Sequence, residues 1–256
     1  MQSGAITEYI DVAQLVLYAF WVFFAGLIYY LHQENKREGY PLESNVPGRN
    51  KIVGFPGLPS PKTFHLADGT SVTVPRTSEP ASTLDAATMG GFPGAPIEPN
   101  GHGLGAGIGP GAYAQRRDIP DTTIDGQPRI VPLRVAADFA VSSRDIDPRG
   151  LAVVGSDMVV GGVVGDVWVD RSEVLFRYLE VEVAGAGGRG TVLLPVNFSR
   201  IDTRRIVVDS IMGRDFGNVP QTRDADVVTL LEEEKIMAYY GGGTLYADPS
   251  RAEPLL

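Results

Sequence analysis

The chain has 256 residues, with 22 Lys and Arg against 31 Asp and Glu and a formal net charge of −9. This acidic balance argues against nucleic acid as a partner, because binding phosphate needs a basic face. The absence of cysteine excludes disulfides, thiolate metal sites and cysteine nucleophiles, and fits a reducing compartment.

Residues 12–31 (VAQLVLYAFWVFFAGLIYYL) carry no charge, and Gln14 is the one strongly polar side chain among them. At about 1.5 Å of rise per residue, such a run spans a hydrocarbon core of about 30 Å, and an isolated span can satisfy its backbone only as a helix. Tyr29 and Tyr30 stand where an aromatic belt meets the headgroups, with Tyr9 near the other face. The run is too long for an ordinary soluble helix and lacks the basic flank of a signal peptide. Lys36, Arg37, Arg49 and Lys51 follow the span and no Lys or Arg precedes it, which places the N-terminus outside and the remainder in the cytoplasm.

Residues 32–40 continue the helix until Gly39 and Pro41 stop it. An irregular Pro- and Gly-rich strap follows to about residue 61. Short β-type runs at 63–66 and 71–74 around Asp68-Gly69 predict a hairpin. Residues 76–113 are too poor in large apolar side chains to form a core, so any order there comes from lying on a partner or on the chain's own domain. The stretch 116–133 is polar and broken by three prolines.

From Leu151 the pattern is β. Strand material flanks Gly161-Gly162 within 157–170, residues 176–183 alternate, 191–196 pair with them, 205–208 add a strand and 227–231 add another. A short helix over 232–240 ends at Gly241-Gly242-Gly243. The expected division is an external N-terminus (1–11), a transmembrane helix with its extension (12–38), a strap with a hairpin (39–133) and a cytoplasmic β domain with tail (134–256). Several short strands at this spacing indicate a small antiparallel barrel or sandwich.

No motif names a reaction. Residues 185–190 (GAGGRG) match G-x-G-x-x-G literally, but a strand rather than a helix follows, so this is a turn. The formal glycosylation acceptor at Asn197 has no meaning in a cytoplasmic domain, and His32, His65 and His102 are too scattered to form a ligand set. Asp166, Asp170 and Glu173 fall within eight residues beside Trp168 and Arg177. Such carboxylates either repel, raising some of their pKa values toward neutrality, or form a solvated acidic turn. Asp118, Asp121 and Asp125 beside Arg116, Arg117 and Arg129 form a second series with the same two readings. For Glu232, Glu233 and Glu234 a helix dipole suffices.

Residues 20–31 (FWVFFAGLIYYL), 34–43 (ENKREGYPLE), 61–64 (PKTF), 114–118 (AQRRD), 164–173 (VGDVWVDRSE), 177–182 (RYLEVE), 193–195 (LLP) and 228–236 (VTLLEEEKI) carry a further signal. Through them the chain closely resembles the H subunit of the photosynthetic reaction centre of purple bacteria. The resemblance implies a single transmembrane α-helix and a mainly-β cytoplasmic domain built on a small antiparallel PRC-type β-barrel, with a short C-terminal helix and extended straps. It implies a non-enzymatic subunit in the bacterial inner, intracytoplasmic photosynthetic membrane, with a periplasmic N-terminus. Its partners would be the L and M subunits, membrane lipids and a nearby light-harvesting antenna. Bacteriochlorophyll, bacteriopheophytin, quinone and non-haem iron would sit in those partners, with none bound directly by this chain.

The same resemblance implies a cap on L and M that stabilises the secondary quinone site and conducts protons to the reduced quinone. Glu173, Asp170, Arg177 and Asp166 would then form a proton relay near the quinone. The family's surface uptake site carries two histidines where this chain has Asp125 and Gln127, so uptake in this chain would fall to Asp125 with Asp121. Tyr30, Lys36, Arg37 and Tyr40 would contact lipid headgroups or neighbouring subunits. The rival expectation is a membrane-tethered PRC-barrel adaptor that recruits cytoplasmic proteins, although an adaptor has no need of the long strap.

Overall fold

The computed structural model describes residues 11–40, 42, 53–67, 69–75, 85–90, 92, 95–183 and 190–251. They belong to two units, Met1–Thr83 with Gly91–Gly94 and Leu84–Gly90 with Ala95–Leu256. Tyr9 and Pro41 lie outside the described residues.

In the first unit α1 (Val12–Glu34) is a 23-residue helix with no buried side chain. Asp11 caps it: Gln14 N donates to Asp11 Oδ1 at 2.7 Å and Asp11 N donates to Gln14 Oε1 at 3.4 Å. The one strongly polar residue of the apolar run therefore sits at the helix end, where its amide satisfies a free N–H. Fifteen large side chains from Val12 to Leu31 stand exposed, which an apolar surrounding alone makes favourable. Among the described residues this is the one helix long and apolar enough to cross a membrane.

The α-helix stops at Glu34, earlier than expected, and a 3₁₀ turn over Asn35–Arg37 leads to Gly39 at φ +73°. The predicted hairpin forms as β1 (Lys62–His65) and β2 (Ser71–Val74), antiparallel with Lys62 opposite Val74. At its tip Gly69 has φ +80°, while Asp68 lies outside the described residues.

The second unit opens with a small antiparallel pair, β3 (Ala86–Thr88) and β4 (Ile97–Pro99), inside the stretch expected to be irregular. Its main sheet has seven strands: β5 (Ile130–Pro132), β6 (Ala152–Val154), β7 (Val160–Asp170), β8 (Leu175–Val183), β9 (Thr191–Pro195), β10 (Arg200–Ile201) and β11 (Arg205–Val207). The order is β10-β11-β6-β7-β8-β9, and β5 pairs with the far end of β7. All pairs are antiparallel except β11 with β6, and among the described residues no ladder closes the sheet.

Helix α2 (Leu230–Tyr246) covers this sheet. Trp168, Leu179, Leu194, Ile206, Phe216, Ile236 and Tyr240 are sealed between them, each at most 1% exposed. Burial of this kind supplies the main driving force for folding.

Three expectations need correction. Residues 227–231 do not form a strand: Thr229 caps α2, its hydroxyl accepting from Glu232 N at 3.1 Å, and makes only an isolated bridge to Pro120. Nor does α2 stop at Gly241-Gly242-Gly243. The helix runs through them because their bare backbone lets other chain segments approach, and a Cβ on Gly241 would lie 2.6 Å from Pro110 O. Likewise β7 runs unbroken through Gly161-Gly162, where the Phe216 ring fills the space that a Cβ on Gly161 would need. The turn expected at 184–189 lies outside the described residues.

Candidate functional site

The β7–β8 turn is built on one carboxylate. Asp170 ends β7, and its Oδ1 accepts from the Ser172 and Glu173 N–H groups at 2.9 Å each. The turn then places Val174 at φ +55°, an uncommon conformation for a β-branched residue, with its side chain 70% exposed. Pairing of β5 with β7 puts Ile130 opposite Asp170, so Arg129 arrives beside the turn.

Arg129 joins three carboxylates. Its guanidinium reaches Asp170 at 2.9 and 3.0 Å, Asp121 at 3.1 Å and Glu173 at 2.5 Å. Arg177 completes the set from β8, donating to Glu173 Oε2 at 3.0 Å and Asp170 Oδ2 at 3.4 Å. Asp170 has no exposed surface, whereas Asp121 and Glu173 reach solvent.

At Asp170 this arrangement runs against the reading of repelling carboxylates. Burial pushes the Asp170 carboxyl up, but the Arg129 guanidinium and the Glu173 and Ser172 N–H groups outweigh it and hold it below the ordinary range. Arg129 in turn is held more firmly protonated, chiefly by its hydrogen bond to Asp170. Opposite charge, not like charge, dominates the turn.

The cluster opens onto a cleft of about 830 Å³, walled also by Arg116, Tyr178, Glu233 and Met237. Tyr178 is 3% exposed and donates its hydroxyl proton to Glu233 Oε2 at 2.7 Å. Burial raises the Glu233 carboxyl, against the downward pull of the Tyr178 hydroxyl and Arg177. Sequence reasoning assigned Glu233 only to a helix dipole, and nothing in its local pattern could have shown the phenol across the cleft.

Asp166 belongs elsewhere. Although it lies four residues before Asp170, Arg134 reaches it at 3.2 Å together with Glu180 at 2.8 Å and Asp226 at 2.9 Å, in a separate network that also holds the Trp168 indole N–H on Glu180. A register shift in the β7–β8 ladder, between Trp168 and Val169, lies between the two carboxylates.

Of the expected uptake residues, Asp121 joins the Arg129 cluster. Asp125 and Gln127 sit exposed on a turn held by the Thr123 N–H on Gln127 O at 2.8 Å. Among the described residues no group of three or more His, Cys, Asp or Glu side chains is placed to hold a metal ion.

Of the four residues expected at a lipid or subunit interface, two point away from the surface of this chain. Lys36 and Arg37 are 4% and 9% exposed and turn inward. Lys36 Nζ donates to Val53 O and Pro56 O at 2.7 Å each, while Arg37 pairs with Glu34 and donates to Ser60 O at 2.7 Å and Val74 O at 3.2 Å. Their ammonium and guanidinium fasten the strap carbonyls of Val53, Pro56 and Ser60, and the end of β2 at Val74, to the helix end. Tyr30 stays half exposed below Lys62, whose Nζ is 5.8 Å from its ring, and Tyr40 lies partly exposed under Lys36.

Two family models match the chain. One describes the photosynthetic reaction centre H-chain N-terminal region and covers residues 4–135, just over half of the chain. The chain belongs to the photosynthetic reaction centre H-chain family. The second model describes the PRC-barrel domain and covers residues 142–214. An H-chain is a structural subunit, so association with other reaction-centre subunits follows, and the exposed apolar α1 fits a single-pass membrane protein. Within this H-chain the charge cluster joins both matched regions: Asp121 and Arg129 come from the first, and Asp170, Glu173 and Arg177 from the second.

Proposed function

We propose that this H-chain caps the L and M subunits on the cytoplasmic side, steadies the secondary quinone site and passes protons from the cytoplasm toward the reduced quinone. The observation that carries this reading is the Arg129 cluster, which connects solvent-facing Asp121 and Glu173 through buried Asp170. In it Asp170 is the fixed element: ionised and clamped, it sets the turn and orients both arginines. Glu173 and Asp121 are the solvent-facing elements, Glu173 held by Arg129 on one oxygen and Arg177 on the other, and Asp121 by Arg129 alone. Proton exchange at such carboxylates needs only that water compete with the guanidinium. Pigments, quinone and iron would stay in the partner subunits and supply the electron chemistry. The periplasmic N-terminus, the intracytoplasmic membrane and contacts with antenna and lipid belong to the same reading.

The adaptor alternative is less well supported. For a membrane-tethered adaptor only the PRC-barrel match over residues 142–214 would be needed, whereas residues 4–135 match the reaction-centre H-chain N-terminal region.

The test is Glu173→Gln in the intact complex. Proton-coupled transfer of the second electron to the quinone should slow while primary charge separation is unchanged. Quinol formation that matches the parent across pH would overturn the assignment.

A further inference from the structure

The three glutamates that open α2 do different things. Glu232 is used locally, accepting from the Thr229 and Arg223 N–H groups at 2.9 and 2.8 Å. Glu234 faces Arg116 at 3.6 Å and the Ala114 N–H at 3.4 Å. Glu233, half-buried between them, turns into the cleft against a neutral partner, the Tyr178 hydroxyl.

The contrast with Asp170 decides what each carboxylate can do. A carboxylate clamped by two guanidiniums keeps its charge, whereas one held by a phenol in a partly desolvated wall lies closer to the neutral acid. We propose that Glu233, seated against the Tyr178 hydroxyl, is a further carboxyl of this cleft that takes up and releases a proton. The step is simple: a hydronium ion in the cleft transfers its proton to a Glu233 oxygen, leaving water, and release returns the proton to water. The Tyr178 O–H bond stays intact throughout, because burial and the adjacent Glu233 disfavour the phenolate. The charged groups facing Glu233 are Arg177 from β8, Arg116 and Asp121 from the preceding segment, and Glu234 on its own helix.

This inference rests on reading the cleft as a proton route, and it is tested separately from the quinone. In the intact complex containing the full chain, infrared titration of the protonated-carboxyl C=O stretch should show a band that persists above the ordinary glutamate range of about 4.3. Glu233→Gln should remove the band, and Tyr178→Phe should shift it through loss of the hydrogen bond. A spectrum unchanged in both variants, or a band that titrates in the ordinary range, overturns the proposal. Should Glu233→Gln fail to assemble, the Tyr178→Phe shift still decides. Glu173→Gln should retain the band. Normal quinol formation in that variant would then sink the quinone relay while leaving the Glu233 titration standing.

Discussion

Arg129 and Asp170 meet at 2.9 Å across the junction of β5 and β7, with the carboxylate fully buried and the guanidinium partly so. Removing one charge from such a pair leaves the other without compensation. Asp170→Asn should therefore destabilise the chain by about 3 kcal/mol, since loss of one partner of a buried pair costs roughly 3–5 kcal/mol. Thermal unfolding of the detergent-solubilised full chain measures this. A melting temperature equal to the parent's would mean that the turn hydrogen bonds alone hold the site.

Acid should erase that difference. The folded-state pKa of Asp170 is lowered, so its contribution is fully present above the unfolded-state value of about 3.9 and is lost as pH falls through the folded value. Melting curves of parent and Asp170→Asn should converge on acidification below that range. A gap that stays constant with pH would show that shape, not charge, accounts for it.

Glu233 has the opposite sign. Its folded-state pKa is raised, so any contribution to stability is present below the unfolded-state value and is lost as pH rises through the folded one. Glu233→Gln keeps an oxygen for the Tyr178 hydroxyl and removes the buried charge. The variant should be more heat-stable than the parent at neutral pH, with the advantage vanishing in acid; lower stability at neutral pH would contradict the raised pKa.

Arg134 holds the second network, in which Asp166 and Glu180 are each under a tenth exposed. Arg134→Met should cost about 3 kcal/mol by leaving two buried carboxylates facing one another. Because the Trp168 indole donates to Glu180 at 2.8 Å, tryptophan fluorescence should shift with it. Unchanged stability and emission would show that the two carboxylates are held in place without Arg134.

The strap can be tested at Lys36. Lys36→Met deprives Val53 O and Pro56 O of their donor, a loss of about 1–3 kcal/mol for buried groups left unpaired. Limited proteolysis of the full chain in lipid nanodiscs should then cut faster near residues 53–60. Equal cutting rates would mean that Arg37 fastens the strap unaided.

Features set by local chemistry were legible in the residues. The uncharged run at 12–31 could be only a helix in lipid, because no other element satisfies its own backbone there. Gly39 and Gly69 adopt the left-handed conformations that their turns require. Alternation placed β8, the apolar run after the glycine-rich turn placed β9, and Ile206-Val207-Val208 placed β11. The three-residue β5 escaped notice because it lies in a polar stretch broken by prolines, and β6 was not separated from the β pattern that begins at Leu151.

The sequence by itself determined the membrane helix, the β character of the second half and the position of the acidic turn, because each follows from neighbours in the chain. Only the tertiary structure decided which charges meet. Asp166 and Asp170 are close in sequence yet belong to different networks, while Arg129 and Asp170 are far apart in sequence and in contact. The inward turn of Lys36 and Arg37, the passage of α2 through three glycines and the pairing of Glu233 with Tyr178 arise in the same way. The physical reason is that Coulomb forces, hydrogen bonds and close packing act over a few ångströms of space, regardless of how many residues separate the groups along the chain.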